Sequence, residues 1–310
     1  MVTVKEVESY KDYGRCVSIS NGIIEAYVTV DIGPRIIKFG YVDGQNFMND
    51  QRKEFGSKTD EVYENLFGKG RKWENLGGHR IWLSPESYPE TYLPDDRKVD
   101  YTVTDCGAVF NPLSDSEVGV QKTLEIKMDK DDANMQVIMD VKNIGNTEKE
   151  FAIWSLSVCS EDGTLVLPTN TNDTGLLPNR AIVVWPYTDL TDDRIYFGKK
   201  YATVRQDRNA KGPAKLGFNL NSGLAYYVKN GEILYKNYET KHGEAKYPDY
   251  DCSFETYTNK LFLEFETLGE LKVVKPGETS QLVERWSLCK QPCDVDFKND
   301  DSIDNLLSKI

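Results

Sequence analysis

The sequence predicts an antiparallel all-β fold. Three observations carry that expectation. Short segments alternating apolar and polar residues recur along the whole chain, turn signals such as Asn21-Gly22 and Asp43-Gly44 separate them, and helical periodicity is nearly absent. The first alternating segments run from Cys16 to Ser20 and from Ile23 to Val30, with Val28, Val30 and Ile32 on one face. Asp31-Ile32-Gly33-Pro34 interrupts the pattern, and Arg35 to Tyr41 resumes it. The same alternation predicts strands at Val99 to Val103, Thr123 to Met128, Met135 to Val141, Phe151 to Val158 and Gly163 to Leu167. It continues at Ile182 to Trp185, Leu224 to Val228, Ile233 to Tyr238, Cys252 to Thr258, Leu261 to Thr267 and Leu282 to Leu288. Thr, Val, Tyr and Phe supply most of these positions, as strands favour. So many strands with so little helix between them mean antiparallel sheets. Two helices are expected. Thr59 to Phe67 reads as a short one, with Thr59 as N-cap and Asp60 and Glu61 in its first turn. Ile303, Leu306, Leu307 and Ile310 fall on one face of a terminal helix.

A chain of 310 residues has room for two domains at about 150 residues each. No linker, repeat or low-complexity stretch divides it, so one domain is expected over residues 1–290, with an acidic, partly helical tail over 291–310. Lys plus Arg number 38 against 50 Asp plus Glu, a net charge of −12. That balance argues against nucleic acid and against anionic membrane surfaces, both of which need clustered cations. The mean hydropathy is −0.55, and no apolar run approaches the roughly 18 residues of a membrane span. Met1 to Lys11 alternates Val with charge and reads as neither signal nor transit peptide. The six cysteines are scattered without a CxxC pair, which argues against zinc. They read as reduced thiols of a cytoplasmic protein, their even number leaving disulfides open.

Three segments depart from ordinary strand and turn sequence. The first runs Trp73-Glu74-Asn75-Leu76-Gly77-Gly78-His79-Arg80-Ile81-Trp82, then Ser84-Pro85-Glu86, and on to Thr91-Tyr92-Leu93-Pro94-Asp95-Asp96. It sets His, Arg, Trp and Glu beside paired glycines, which let a backbone approach another group closely. A pyranose offers apolar C–H faces and a rim of hydroxyls. Trp and Tyr stack on the faces, while Arg, Glu and Asp bond the rim. The composition suits a sugar, and equally a rigid loop with a buried Trp and a His bonded to backbone. In the second segment, Lys246 to Tyr257, Asp249 and Asp251 bracket a turn, and Ser253, Glu255 and Tyr257 share one face of the following strand. Two Asp and one Glu are too few to specify calcium. In the third, Leu263 and Phe265 face one way and Glu264 and Glu266 the other. Two carboxylates ~7 Å apart on one face are an acid–base candidate, in which proximity raises one pKa. A solvated outer face of an edge strand has the same pattern. The only histidines are His79 and His242, and His242 reads as solvated in a loop rich in Lys and Glu.

These segments together resemble the galactose mutarotase-like (aldose 1-epimerase) superfamily, and more closely a bacterial branch of it. Ile32-Gly33-Pro34-Arg35-Ile36-Ile37 followed by Asp43-Gly44-Gln45-Asn46 is similar to the opening of that fold. Gly77-Gly78-His79-Arg80-Ile81-Trp82 resembles the segment carrying a sugar-binding histidine. Leu263-Glu264-Phe265-Glu266-Thr267-Leu268 resembles the late strand with the catalytic glutamate, and Glu266 matches the base. Pro276-Gly277-Glu278 and Glu284-Arg285-Trp286-Ser287-Leu288 resemble the closing turn and strand. The resemblance covers roughly Val17 to Leu288. It implies a large antiparallel β-supersandwich whose concave face holds a sugar, with neither metal nor nucleotide required. In such enzymes a glutamate takes the proton of the anomeric hydroxyl, a histidine protonates the ring oxygen, and the ring opens and recloses. The chain departs from the pattern at Phe151 to Val158, where the family's second histidine is missing.

The expectation is therefore an aldose 1-epimerase-like protein with Glu266 as base and His79 as acid. Arg35, Arg80, Trp82 and Glu86 shape the pocket, and Lys236, Asp249, Glu255 and Glu264 complete the binding groups. A carbohydrate-binding protein without turnover, using the same concave face, is the alternative. A polysaccharide lyase or hydrolase domain is disfavoured by the lack of a catalytic partner domain. The expected ligand is a small sugar, neutral rather than phosphorylated, and the expected assembly a monomer or homodimer.

Overall fold

A computed structural model describes residues 1–291 and 294–310. Cys293, one of the two closely spaced cysteines, lies outside the described residues. Strands build two large antiparallel sheets. The first has the order Thr3–Val7, Cys16–Ser20, Ile24–Thr29, Ile36–Tyr41, Gly78–Ser84, Lys149–Cys159, Leu263–Leu268, Phe254–Thr258, Ala214–Phe218 and Ile182–Val184, with Lys272–Val274 paired to the start of Lys149–Cys159. The second has the order Ile195–Phe197, Tyr201–Arg205, Thr164–Pro168, Leu224–Lys229, Glu232–Tyr238, Thr279–Lys290, Asn134–Asn143, Val120–Met128, Gly107–Pro112 and Val99–Thr104. The sheets stack face to face over one apolar core that takes Phe39, Ile81, Ile153, Phe254 and Phe265 from the first and Leu124, Val137, Leu234, Leu282 and Trp286 from the second. This is the antiparallel all-β architecture expected.

Strands with one wet face follow the period-2 rule, and Thr279–Lys290 alternates exposed and buried residues over most of its length. Lys149–Cys159 is buried continuously from Phe151 onward because its other face is covered too. Two strands buried on both faces, Gly78–Ser84 and Ala214–Phe218, are absent from the sequence-based expectation.

The short helix spans Glu61–Phe67, and its cap is Asp60 rather than Thr59. The Asp60 carboxylate accepts from the Tyr63 N–H at 2.9 Å, while the Thr59 hydroxyl is spent on the Arg71 carbonyl. The terminal helix spans Asp300–Leu307 with Asn299 as cap. It buries Ile303 and Leu306 against Val166, Tyr226, Val228 and Ile233, on the outer side of the second sheet. Ile310 lies past its end and is exposed. Cys16, Cys106, Cys159 and Cys252 are free thiols. Among the described residues, no helix is long and apolar enough to cross a membrane.

Candidate functional site

The outer face of the first sheet carries a cleft of about 320 Å³. Strand parity decides what lines it. On Gly78–Ser84, Ile81 points into the core while Arg80 and Trp82 point to the cleft. On Lys149–Cys159 the cleft residues are Trp154 and Leu156, and on Ala214–Phe218 the cleft residue is Lys215. Tyr257 and Glu264 complete the sheet's contribution. Trp73, Tyr92, Tyr187 and Phe262 wall the sides. The aromatic rings pack edge to face or tilted, Trp82 lying 5.5 Å from Trp154 and 5.1 Å from Tyr92 between centroids. The Arg80 guanidinium lies 4.1 Å over the Trp82 ring.

The charged groups sit in register. Glu255 and Glu266 stand directly opposite across two paired strands, an arrangement that like charges disfavour. Lys215 answers them, 2.9 Å from Glu255 and 4.0 Å from Glu266. Glu266 also accepts from the Trp154 indole N–H at 2.8 Å, and its Oε1 has no partner among the described residues. Glu264, two residues away on the same face, is 3.4 Å from Arg80. Burial pushes the Glu264 carboxyl up to about 7 against the pull of Arg80. Burial raises Glu266 as well, with Lys215 opposing, and raises Glu255 well above the ordinary carboxylate range. Burial disfavours the Lys215 ammonium, but Glu266 and Glu255 outweigh it and hold the group above the usual lysine range. The cluster therefore titrates on Glu264 near neutral pH, while burial shifts Glu255 and Glu266 toward their protonated forms.

The expected site residues divide into two sets. Arg80, Trp82, Glu86 and Glu264 line the cleft. Glu86 accepts a hydrogen bond from the Tyr92 hydroxyl. Glu255 and Glu266 lie on the same face behind Lys215. Asp249 lines an adjoining compartment and accepts from Ser84. His79, Arg35 and Lys236 do not reach the cleft. All three are fully buried. Lys236 donates to the Ser157 Oγ at 2.9 Å and pairs with Glu284 at 3.4 Å. The Ser157 hydroxyl also shares a hydrogen bond with Nδ1 of His79, 2.9 Å away. Burial, then Lys236, Arg35 and Arg80, hold His79 well below its ordinary pKa, so the ring is neutral. Arg35 pairs with Asp95 at 2.7 Å, and Asp95 with Lys122 at 3.1 Å.

One further expectation is met by neighbouring backbone, and another changes. Gly77 and Gly78 have left-handed backbones, and a Cβ there would lie 2.2 Å from the Asn49 carbonyl and 2.6 Å from the Ile36 carbonyl. What they admit is neighbouring backbone, not a ligand. His242 is not solvated: it bonds Asp251 at 3.0 Å and Ser253 at 2.8 Å and lies against the Tyr247 ring. Lys215 and Trp154 are among the site residues that sequence reasoning missed, with Leu156, Tyr187 and Phe262. Among the described residues, no group of three or more His, Cys, Asp or Glu has the geometry to hold a metal ion.

No protein-family model matches the chain, and no curated protein matches it. Solved structures do. A TPR-domain containing protein from Parabacteroides distasonis superposes over 90% of this chain with a TM-score of 0.58 at 14% identity. The chain spans about half of that protein, 48% of its length. A galactose mutarotase-like protein from Clostridium acetobutylicum matches 94% of this chain and 99% of its own, with a TM-score of 0.53 at 10% identity. One from Lactobacillus casei matches 88% and 100%, with a TM-score of 0.53 at 12% identity. The two stacked sheets, with a cleft on the outer face of the first, are the galactose mutarotase-like fold.

Proposed function

We propose that the cleft binds a neutral sugar and that its carboxylates interconvert the sugar's anomers. The observation that supports this most is Glu264, a carboxyl with its pKa near 7 in a cleft that Trp82, Trp154 and Tyr257 also line. A general base works best when its pKa matches the working pH. The rings stack on the sugar's C–H faces, while Arg80, Lys215 and Glu86 bond its hydroxyls.

In this reading Glu264 takes the proton from the anomeric hydroxyl. The C1–O5 bond breaks as O1 becomes a carbonyl oxygen, and O5 receives a proton through Lys215 in concert with the Glu255 carboxyl, so that no free amine forms. Lys215 recovers its proton from the Glu255 carboxyl 2.9 Å away, so the cation is kept and the carboxyl becomes a carboxylate. Rotation about C1–C2 and the reverse transfers reclose the ring on either face. Glu266, opposite Glu255, keeps that carboxyl's proton available, in place of the base role expected for it. His79 has no part, since its neutral ring faces the core.

The absence of a histidine among the residues lining the cleft favours a second reading, a sugar-binding protein without turnover. One-dimensional NMR of freshly dissolved α-glucose and α-galactose separates the two. Faster equilibration on adding protein supports the enzyme, and binding without acceleration supports the module. Neither binding nor acceleration with any simple monosaccharide or disaccharide removes both.

A further inference from the structure

The cleft does not end at the catalytic carboxylates. A second compartment of about 370 Å³ opens beside it and shares four residues with it: Glu86, Tyr92, Trp154 and Lys215. We propose that this compartment is a second sugar subsite, so that the preferred ligand is a neutral reducing disaccharide or longer chain with its reducing ring against Glu264. The proposal rests on the sugar-binding reading above and extends it.

The floor between the two compartments is Trp154, and Lys215 stands over it, 4.5 Å from the Trp154 ring and 4.5 Å from the Trp185 ring. Trp185 lies just past the edge strand Ile182–Val184, and its backbone N–H donates to the Lys215 carbonyl at 3.4 Å. That bond draws the loop over the sheet and presents a half-buried indole to the second compartment. Two indoles on either side of one ammonium make successive apolar platforms with a hydroxyl donor between them. A chain of pyranose rings needs that pattern, with a stacking face for each ring and a donor at the linkage.

The far wall is built by an unusual turn. Asp249, Tyr250 and Asp251 are consecutive left-handed residues with φ of 50°, 63° and 74°, and none is glycine. Residues other than glycine disfavour such conformations, which persist where the surroundings over-determine them. The turn holds Asp249 in the compartment, within 3.3 Å of the Ser84 hydroxyl, and leaves Tyr250 89% exposed. Asp249 is a rim acceptor for the hydroxyls of a second ring. Carboxyl groups outnumber cations around the two compartments, with Glu86, Asp249, Glu255, Glu264 and Glu266 against Lys58, Arg80 and Lys215. That balance suits a neutral chain over a polyanion.

The test compares glucose and galactose with maltose, cellobiose and lactose, reading anomer equilibration by NMR and binding by calorimetry. At least one disaccharide is expected to exceed its constituent monosaccharides by about tenfold or more in kcat/KM or in affinity. Trp185→Ala and, separately, Asp249→Asn are expected to shrink that advantage to within about twofold. Two variants are used because Trp185 also touches Lys215, and the readout is the ratio, which a loss common to all sugars does not move. Monosaccharides matching or beating every disaccharide would overturn the subsite and leave the sugar-binding reading standing. An advantage that survives in both variants overturns it as well. If no sugar of either size binds, the underlying reading falls.

Discussion

Glu266 and Glu284 are near twins in different regions of the molecule. Both are fully buried, both accept from an indole N–H, and both have a lysine close by. Glu284, between the sheets, is saturated: Ser155 donates at 2.7 Å, Thr267 donates to the same oxygen, and Trp286 and Lys236 take the other. Glu266, on the outer face, has one indole bond, a lysine at 4.0 Å that is closer to Glu255, and one oxygen without a partner. Their lysines differ in the same sense. Burial lowers Lys236, whose one carboxylate partner does not compensate, whereas two carboxylates raise Lys215 despite its burial. Burial alone therefore does not make a site. The interior group is matched and structural, and the cleft group has more carboxylates than cations, so it holds an exchangeable proton.

The sharpest break of that contrast is kinetic. Glu264→Gln should lower anomer equilibration by about 10²–10⁴-fold, the usual range for a general base. His79→Asn should stay within about threefold of wild type once folded. Equal losses in the two variants would return the acid role to the interior. The next effect is on stability. Glu284→Gln breaks a buried ion pair and should cost about 3–5 kcal/mol in urea unfolding. Glu266→Gln relieves a like-charge contact and should change stability by less than about 1 kcal/mol. Matching losses would mean the two carboxylates are equally structural.

The third test uses pH. The Glu264 carboxyl titrates at about 7 in the folded chain and near 4.3 when unfolded. Between those values the native state binds more protons than the unfolded state, so this group's contribution to stability falls as pH rises from about 4.3 to 7. Glu264→Gln should flatten that slope in pH-resolved denaturation, while wild-type turnover should climb through pH 7 as the base ionises. A wild-type slope of the opposite sign that the substitution leaves unchanged would contradict the burial of this carboxyl. The smallest expected effect belongs to Trp154→Phe. It removes one hydrogen bond to Glu266, worth about 1.5–3 kcal/mol when the acceptor is charged. The acid limb of the pH–rate profile should move by about one unit or less.

Legibility in the sequence followed solvent. Segments with a wet face, such as Val120–Met128 and Thr279–Lys290, alternate visibly, and hairpin turns mark their ends. Gly78–Ser84 hid because Ile81 meets the core while Arg80 and Trp82 meet the cleft, so no residue of the strand is exposed. Its parity was still available. Once the segment is read as a strand, His79 must face away from Arg80 and Trp82. The Glu264 and Glu266 pair was readable from spacing alone, and so was the shared face of Glu255 and Tyr257. Lys215 was not, because one lysine between Ala214 and Leu216 has the pattern of an ordinary solvated face. Trp154 was lost within an apolar run for the same reason as Gly78–Ser84: both faces of its strand are covered.

The terminal helix has a consequence for self-association. Asp300 accepts from the Lys199 and Lys200 backbone N–H groups, and Asp304 bonds the Lys200 and Tyr201 side chains. The helix thus clamps the hairpin that ends the second sheet at Ile195–Phe197, while Ile303 and Leu306 cover Val166, Tyr226 and Ile233. An uncovered apolar patch beside an unpaired strand edge is a template for adding further chains. With the helix in place that patch stays covered, at the end of the second sheet opposite the Val99–Thr104 margin.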